Sequence, residues 1–237
     1  QEPFSALYAK IRQDRLSGDL DAIERATPDA QQRRALASLP DESRRVAYLA
    51  RSLQAHARDG EAVGRIEIPR IGAHYVVVNG TDTSDLESGP GIYADTRYPG
   101  VSGTTAIAGH RTTYLAPFRD INLLRPGDRI VVRMPYARFT YTVAGQRVVA
   151  PTDVSAAIDQ LGYSRLVLSA CTPLFSAAKR LLVYARLTQT VPLGAARALP
   201  GHPAIRPIES PDGVPPERNP LPPVFVTMQL HRLTPLV

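Results

Sequence analysis

The chain has 237 residues, 43% of them hydrophobic, and a formal net charge of +6, which is enough to bury the core of one sizeable domain with extensions or of two small ones. Only Lys10 and Lys179 among its 28 basic residues are lysines, and the arginines are scattered with no block of five or six like charges, so nucleic acid is not an expected partner. The single cysteine excludes an internal disulfide, and neither a membrane span of roughly 18 to 20 apolar residues nor the apolar run of a signal peptide is present, so the chain as given reads as soluble.

Residues 1–60 read as helical. Phe4, Leu7, Tyr8 and Ile11 follow the i, i+3, i+4, i+7 pattern, as do Val46, Leu49, Ala50 and Leu53. Pro28 and Pro40 sit where new helices can start, which predicts about three short helices forming a collar on the main domain. From Gly64 the period changes: "GRIEIP" and "HYVVVNG" read as strands, followed by a short helical stretch and then by "GTTAIAGH". "APFRDINLL" predicts one or two helical turns before the turn signal "RPGD". "RIVVRM", "RFTYTVAGQRVVA", "RLVLSAC" and "RLLVYARL" complete a set of about seven strands, which argues for a closed or nearly closed β-barrel over residues 61–190. Half of the 22 prolines follow Gln189, so residues 191–237 read as an extended tail.

Two adjacent strands raise the question of chemistry. If "RLVLSAC" and "RLLVYARL" form a hairpin across residues 172–179, the simplest register sets Cys171 opposite Arg180. A neighbouring guanidinium favours a thiolate and can stabilise charge developing on a substrate oxygen, while keeping its own proton. Of five histidines, His110 alone follows a strand, in "TAIAGHRTTY", after small residues that let a substrate backbone approach. It is the candidate general acid and base. Each of the three has a plainer role open to it: Cys171 as a small buried hydrophobe, His110 as a loop residue, Arg180 as a surface side chain stacked on Tyr184.

Taken together, "GRIEIPRIGAHYVVVNGTD", "GPGIYADTRYPG", "IAGHRTTYLAPFRDINLLRPGDRIVV" and "LVLSACTPLFSAAKRLLVYARL" resemble the sortase family of cysteine transpeptidases over roughly residues 63–188. "AGHRTTY" and the Cys-to-Arg spacing are most similar to class E. The resemblance implies a mostly β fold, an eight-stranded sortase barrel with short helical insertions, preceded here by the helical extension. It further implies that Cys171 attacks the Thr carbonyl of a Leu-Pro-X-Thr-Gly or Leu-Ala-X-Thr-Gly sorting signal, that Arg180 stabilises the oxyanion and that His110 protonates the departing glycine amine. Ala108, Thr112, Tyr114 and Ala170 are the expected substrate contacts. Ala170 departs from the family's Thr-Leu-X-Thr-Cys by lacking a hydroxyl before the nucleophile.

The implied partners are a sorting-signal peptide and an amine acceptor such as a peptidoglycan precursor, with action outside the cytoplasmic membrane near an anchor that would precede Gln1. No cofactor and no metal are expected, since no acidic cluster matches the calcium loops of some sortases. Pilus-building sortases and a sortase-like barrel that binds signals without turnover are the alternatives. L,D-transpeptidases, which place Gly directly before Cys, do not fit "SACTPLF". Residues 1–60 lack the Asp-Pro-aromatic tripeptide of pilus-sortase lids. In the tail, Leu199, Pro200 and Gly201 imitate a sorting signal that His202 and Pro203 would render uncleavable, a possible pseudosubstrate for the groove.

Overall fold

The computed structural model describes residues 3–153 and 155–197. The pseudosubstrate motif at 199–203 and nearly all of the proline-rich tail lie outside them. The N-terminal region is indeed three helices, α1 (Pro3–Arg25), α2 (Ala30–Ser38) and α3 (Glu42–His56). Asp29 and Asp41, each one residue beyond a proline, accept from the backbone N–H groups of Gln32 and Arg44 at 2.8 and 2.7 Å and start α2 and α3.

Two expectations for this region need correction. The first helix is not short, running 23 residues, and its buried face is not the predicted one. Phe4, Leu7, Tyr8 and Ile11 stand in solvent, while Leu16 and Leu20 pack on Ala62, Val76 and Val78. Periodicity identifies a helix but not its partner. Polar contacts decided the docking: Gln13 exchanges two hydrogen bonds with the backbone of Val76 and donates to Ser88 C=O, and Arg65 pairs with Asp21 and Glu24. Among the described residues no helix is long and apolar enough to cross a membrane.

Among the described residues eight strands follow: β1 (Ala62–Ile68), β2 (Ala73–Asn79), β3 (Gly91–Ile92), β4 (Thr104–Ala108), β5 (Arg129–Met134), β6 (Ala137–Val149), β7 (Arg165–Thr172) and β8 (Lys179–Pro192). Short helices α4 (Thr83–Leu86) and α5 (Ser155–Ile158) interrupt them. The strands close into a barrel in the order β1-β2-β3-β4-β7-β8-β6-β5, with β2–β3 and β4–β7 parallel and the other pairs antiparallel. Aliphatic and aromatic side chains alternate inward, Ile66 and Ile68 from β1, Ile107 from β4, Phe139 and Tyr141 from β6, Leu166 and Leu168 from β7, all essentially buried. "APFRDINLL" gives hydrogen-bonded turns and one helical turn, of 3-10 type, at Ile121–Leu123. β8 continues past the predicted end to Pro192, and Ala196 beyond it is buried, with Arg45 of α3 donating to its carbonyl at 3.2 Å.

β3 is held by backbone crowding. A Cβ on Gly91 would collide with the carbonyl oxygen of Gly80, whose own N–H donates to Ile92 C=O at 3.0 Å. Gly91→Ala is therefore expected to cost about 1–3 kcal/mol as an overpacked site. Thermal melting should show a midpoint lowered by roughly 2–12 °C for a unit of this size. An unchanged midpoint would mean that the β3 backbone yields freely.

Candidate active site

Three neighbouring strands carry the candidate chemistry. In the parallel pair, Ala108 is level with Ser169, and Gly109 N–H still donates to Ser169 C=O at 3.0 Å, so His110, one residue on, comes level with Cys171. In the antiparallel pair, Cys171 stands opposite Arg180, as the hairpin argument expects, across a loop of residues 173–178. His110, Cys171 and Arg180 thus form one row across the ends of β4, β7 and β8.

Side-chain alternation decides which face they occupy. Leu166, Leu168 and Ala170 point into the barrel, so Val167, Ser169 and Cys171 point out. Beneath the row the outer face is apolar: Ala106, Val167 and Leu182 pack with Val149 and with Ala157 of α5, and Tyr93 and Tyr184 lie against them. The same rule places the Ala170 side chain. It is 4% exposed and belongs to the core, so a hydroxyl there would face apolar neighbours rather than a substrate. Ala108 has the outward parity but is buried at the strand end.

A cleft of about 340 Å³ opens over the row, lined by His110, Arg111, Thr112, Cys171, Pro173, Phe175, Ser176 and Ala177. Thr112 therefore lies where substrate contact was expected, and the loop between β7 and β8 supplies the opposite wall. Arg180 does not line the cleft. Its Nη1 donates to the carbonyls of Ala177 and Lys179 at 3.1 and 3.3 Å, along its own loop.

His110 sits in a shaped pocket. Its Nε2 is buried with no hydrogen-bond partner, and the Tyr114 ring lies against the imidazole with centroids 5.2 Å apart and planes at 43°. Burial holds the His110 pKa below its ordinary 6.5, against an opposing pull from the Glu87 carboxylate. Tyr114 Oη donates to Glu87 Oε1 at 3.0 Å. The backbone that presents Tyr114 is unusual: Tyr114, Leu115 and Ala116 all have positive φ, at 48°, 65° and 46°. The run is pinned on both sides, by Ala116 N–H to Thr113 C=O at 2.8 Å and Phe118 N–H to His110 C=O at 2.9 Å, with the Phe118 ring in the core.

Sequence reasoning missed Arg111, Glu87, Asn122 and the loop residues Pro173 to Ala177. A guanidinium directly after the candidate histidine was visible, but its partners come from a turn whose path only the fold reveals. Arg111 is 5% exposed, with Nη2 on Asn122 Oδ1 at 2.5 Å and Nε on Arg119 C=O at 2.9 Å. No group of three or more His, Cys, Asp or Glu side chains suited to a metal ion occurs among the described residues.

Known proteins are similar to this chain over the barrel. Residues 66–188 match the family model described as the sortase domain. Sortase D of Bacillus subtilis is 36% identical over 130 residues, covering 54% of this chain and 64% of its own length. Sortase SrtE1 of Streptomyces coelicolor is 32% identical over 149 residues, covering 56% of this chain and 42% of its own length. The chain therefore spans less than two thirds of either curated relative. The structure of SrtF sortase from Corynebacterium diphtheriae superposes with a TM-score of 0.55 at 30% identity, covering 58% of this chain and 90% of that one.

Proposed function

With more than half of its residues matching the sortase domain, the chain belongs to the sortase family, and from that premise we propose that it is a cysteine transpeptidase acting on sorting signals. The family acts on cell-surface proteins. The observation that carries the proposal is the cleft on the outer face of the barrel that His110 and Cys171 both line, with Arg180 opposite Cys171 on the neighbouring strand.

The chemistry follows from these groups. The Cys171 proton passes to the unpartnered Nε2 of His110 as Sγ attacks the Thr carbonyl of the signal. The resulting oxyanion is met by the Arg180 guanidinium, swung from its loop carbonyls toward the row. His110 then gives its proton to the departing glycine amine, leaving an acyl thioester on Cys171. An incoming amine attacks the thioester and loses a proton to His110, which returns it to the Cys171 thiolate as the amide forms. A peptidoglycan precursor is the acceptor we favour, and the extracytoplasmic face of the membrane the site of action. The signal is of the Leu-Pro-X-Thr-Gly or Leu-Ala-X-Thr-Gly type, and the relatives carry D and E designations.

The test is mass spectrometry of Cys171 after incubation with peptides carrying each signal, with and without hydroxylamine. An adduct ending at the Thr carbonyl, released by hydroxylamine as the hydroxamate, is the expected result. Failure to see either species with both peptides overturns the reading. Arg180→Lys keeps the charge but loses the planar fork, and turnover is expected to fall on the order of tenfold or more. Equal kcat in the lysine variant would mean that Arg180 acts only through its field.

A further inference from the structure

Arg111 is the charged side chain at the site that the chemistry above leaves unused. It is nearly buried, and a charge removed from water is costly unless something holds it. Its acceptors are all uncharged: Arg119 C=O, Asn122 Oδ1, and, from Nη1, Cys171 C=O and Thr172 Oγ1 at 3.4 Å each. Two short bonds fix the guanidinium to the 119–122 turn, and two longer ones aim its remaining arm at the residue that carries the nucleophile.

We propose that Arg111 is a second, buried cation of the thiol site, a positioning residue that holds positive charge against Cys171 and steadies the end of β7. A buried guanidinium hydrogen-bonded only to neutral acceptors, with Asp120 the nearby carboxylate acting on it, still presents its field to an anion formed beside it, and the anion that forms there is the Cys171 thiolate. Arg180, half-exposed and engaged with its own loop, contributes a field weakened by water. Burial pulls the Arg111 pKa below its ordinary value, and the charges of Asp120 and of ionised Cys171 pull it back up, with Arg119 opposing. The other ionisable groups at this end of the barrel are His110 after β4, Arg180 and Lys179 on β8, and Glu87 acting on His110; all are common to the variants below.

This deepens the transpeptidase reading, but its test requires no signal peptide. The probe is iodoacetamide, which alkylates the thiolate, applied to the whole chain at pH 7 and at about pH 10. Asn122→Asp is the decisive variant: it preserves shape and acceptor while setting a carboxylate against the guanidinium and cancelling its field. The expected result is alkylation slowed several-fold at pH 7, rates converging at high pH where any thiol is ionised, and a melting temperature equal to or above the parent's. Arg111→Gln should move in the same direction, on the order of tenfold or more at pH 7. If Asn122→Asp alkylates at the parent rate at pH 7, or is slowed by the same factor at both pH values, the proposal is overturned. Because Asn122→Asp keeps the buried hydrogen bond, it decides the matter even if Arg111→Gln does not fold. A negative outcome here leaves peptide acylation free to succeed or fail separately.

Discussion

Cys171→Ala is expected to fold as the parent does and to form no acyl adduct with either signal peptide. The residue sits in the β7–β8 ladder, two positions past the end of the β4–β7 pairing, and the substitution leaves the backbone hydrogen bonds of both in place. Its side chain is half-exposed on the outer face rather than packed in the barrel interior, so losing one sulfur atom should cost no more than about 1 kcal/mol, well below a core truncation. The effect on chemistry is total, because the chain holds no other thiol to carry the thioester. Matching melting curves with no adduct by mass spectrometry is the predicted pair of results. Signal cleavage at the parent rate would end the transpeptidase reading.

His110→Ala should be nearly as damaging, lowering kcat/KM by about 10² to 10⁴, the usual contribution of a positioned proton carrier. The geometry adds a second, more particular consequence in pH. Burial favours the neutral imidazole, so the folded-state pKa lies below the ordinary 6.5. Between those two values the unfolded chain binds more protons than the folded one, and stability therefore rises with pH through this window and falls as pH drops below 6.5. The alanine variant lacks that term. Its melting temperature relative to the parent's should improve as pH falls through the same window. A parent and variant whose difference in melting temperature is constant from pH 7 to pH 5 would show that His110 is not held neutral by burial.

The sequence carried the barrel and the row more clearly than it carried their surroundings. Alternation marked the long strands, and the short link between "RLVLSAC" and "RLLVYARL" leaves few registers, so Cys171 against Arg180 could be read from the chain alone. The same alternation was available for Ala170: apolar residues at 166, 168 and 170 flank the more polar 169 and 171, which already assigns Ala170 to the interior. Its position next to the nucleophile in sequence suggested a substrate contact, whereas strand alternation turns its side chain into the core. The exposed stripe of Phe4, Leu7, Tyr8 and Ile11 failed for a different reason. A helix with apolar residues on two sides does not declare which side is covered, and the choice rested on Gln13 and Arg65 contacts that span more than forty residues. Arg111 was hidden likewise, since what buries it is a turn eight to eleven residues downstream.

The parallel joint between β4 and β7 has a kinetic meaning. It pairs residues some sixty positions apart, and such contacts form late, after the chain has met the entropic cost of closing a long loop. His110 stands on one side of that joint and Cys171 on the other. Local hairpins, β7–β8 among them, can assemble earlier and bring Cys171 to Arg180, but His110, the proposed proton acceptor, comes only with β4. On the proposed mechanism the acid and the nucleophile meet only across this joint, so a chain in which β4 and β7 are apart lacks the pair that transpeptidation requires.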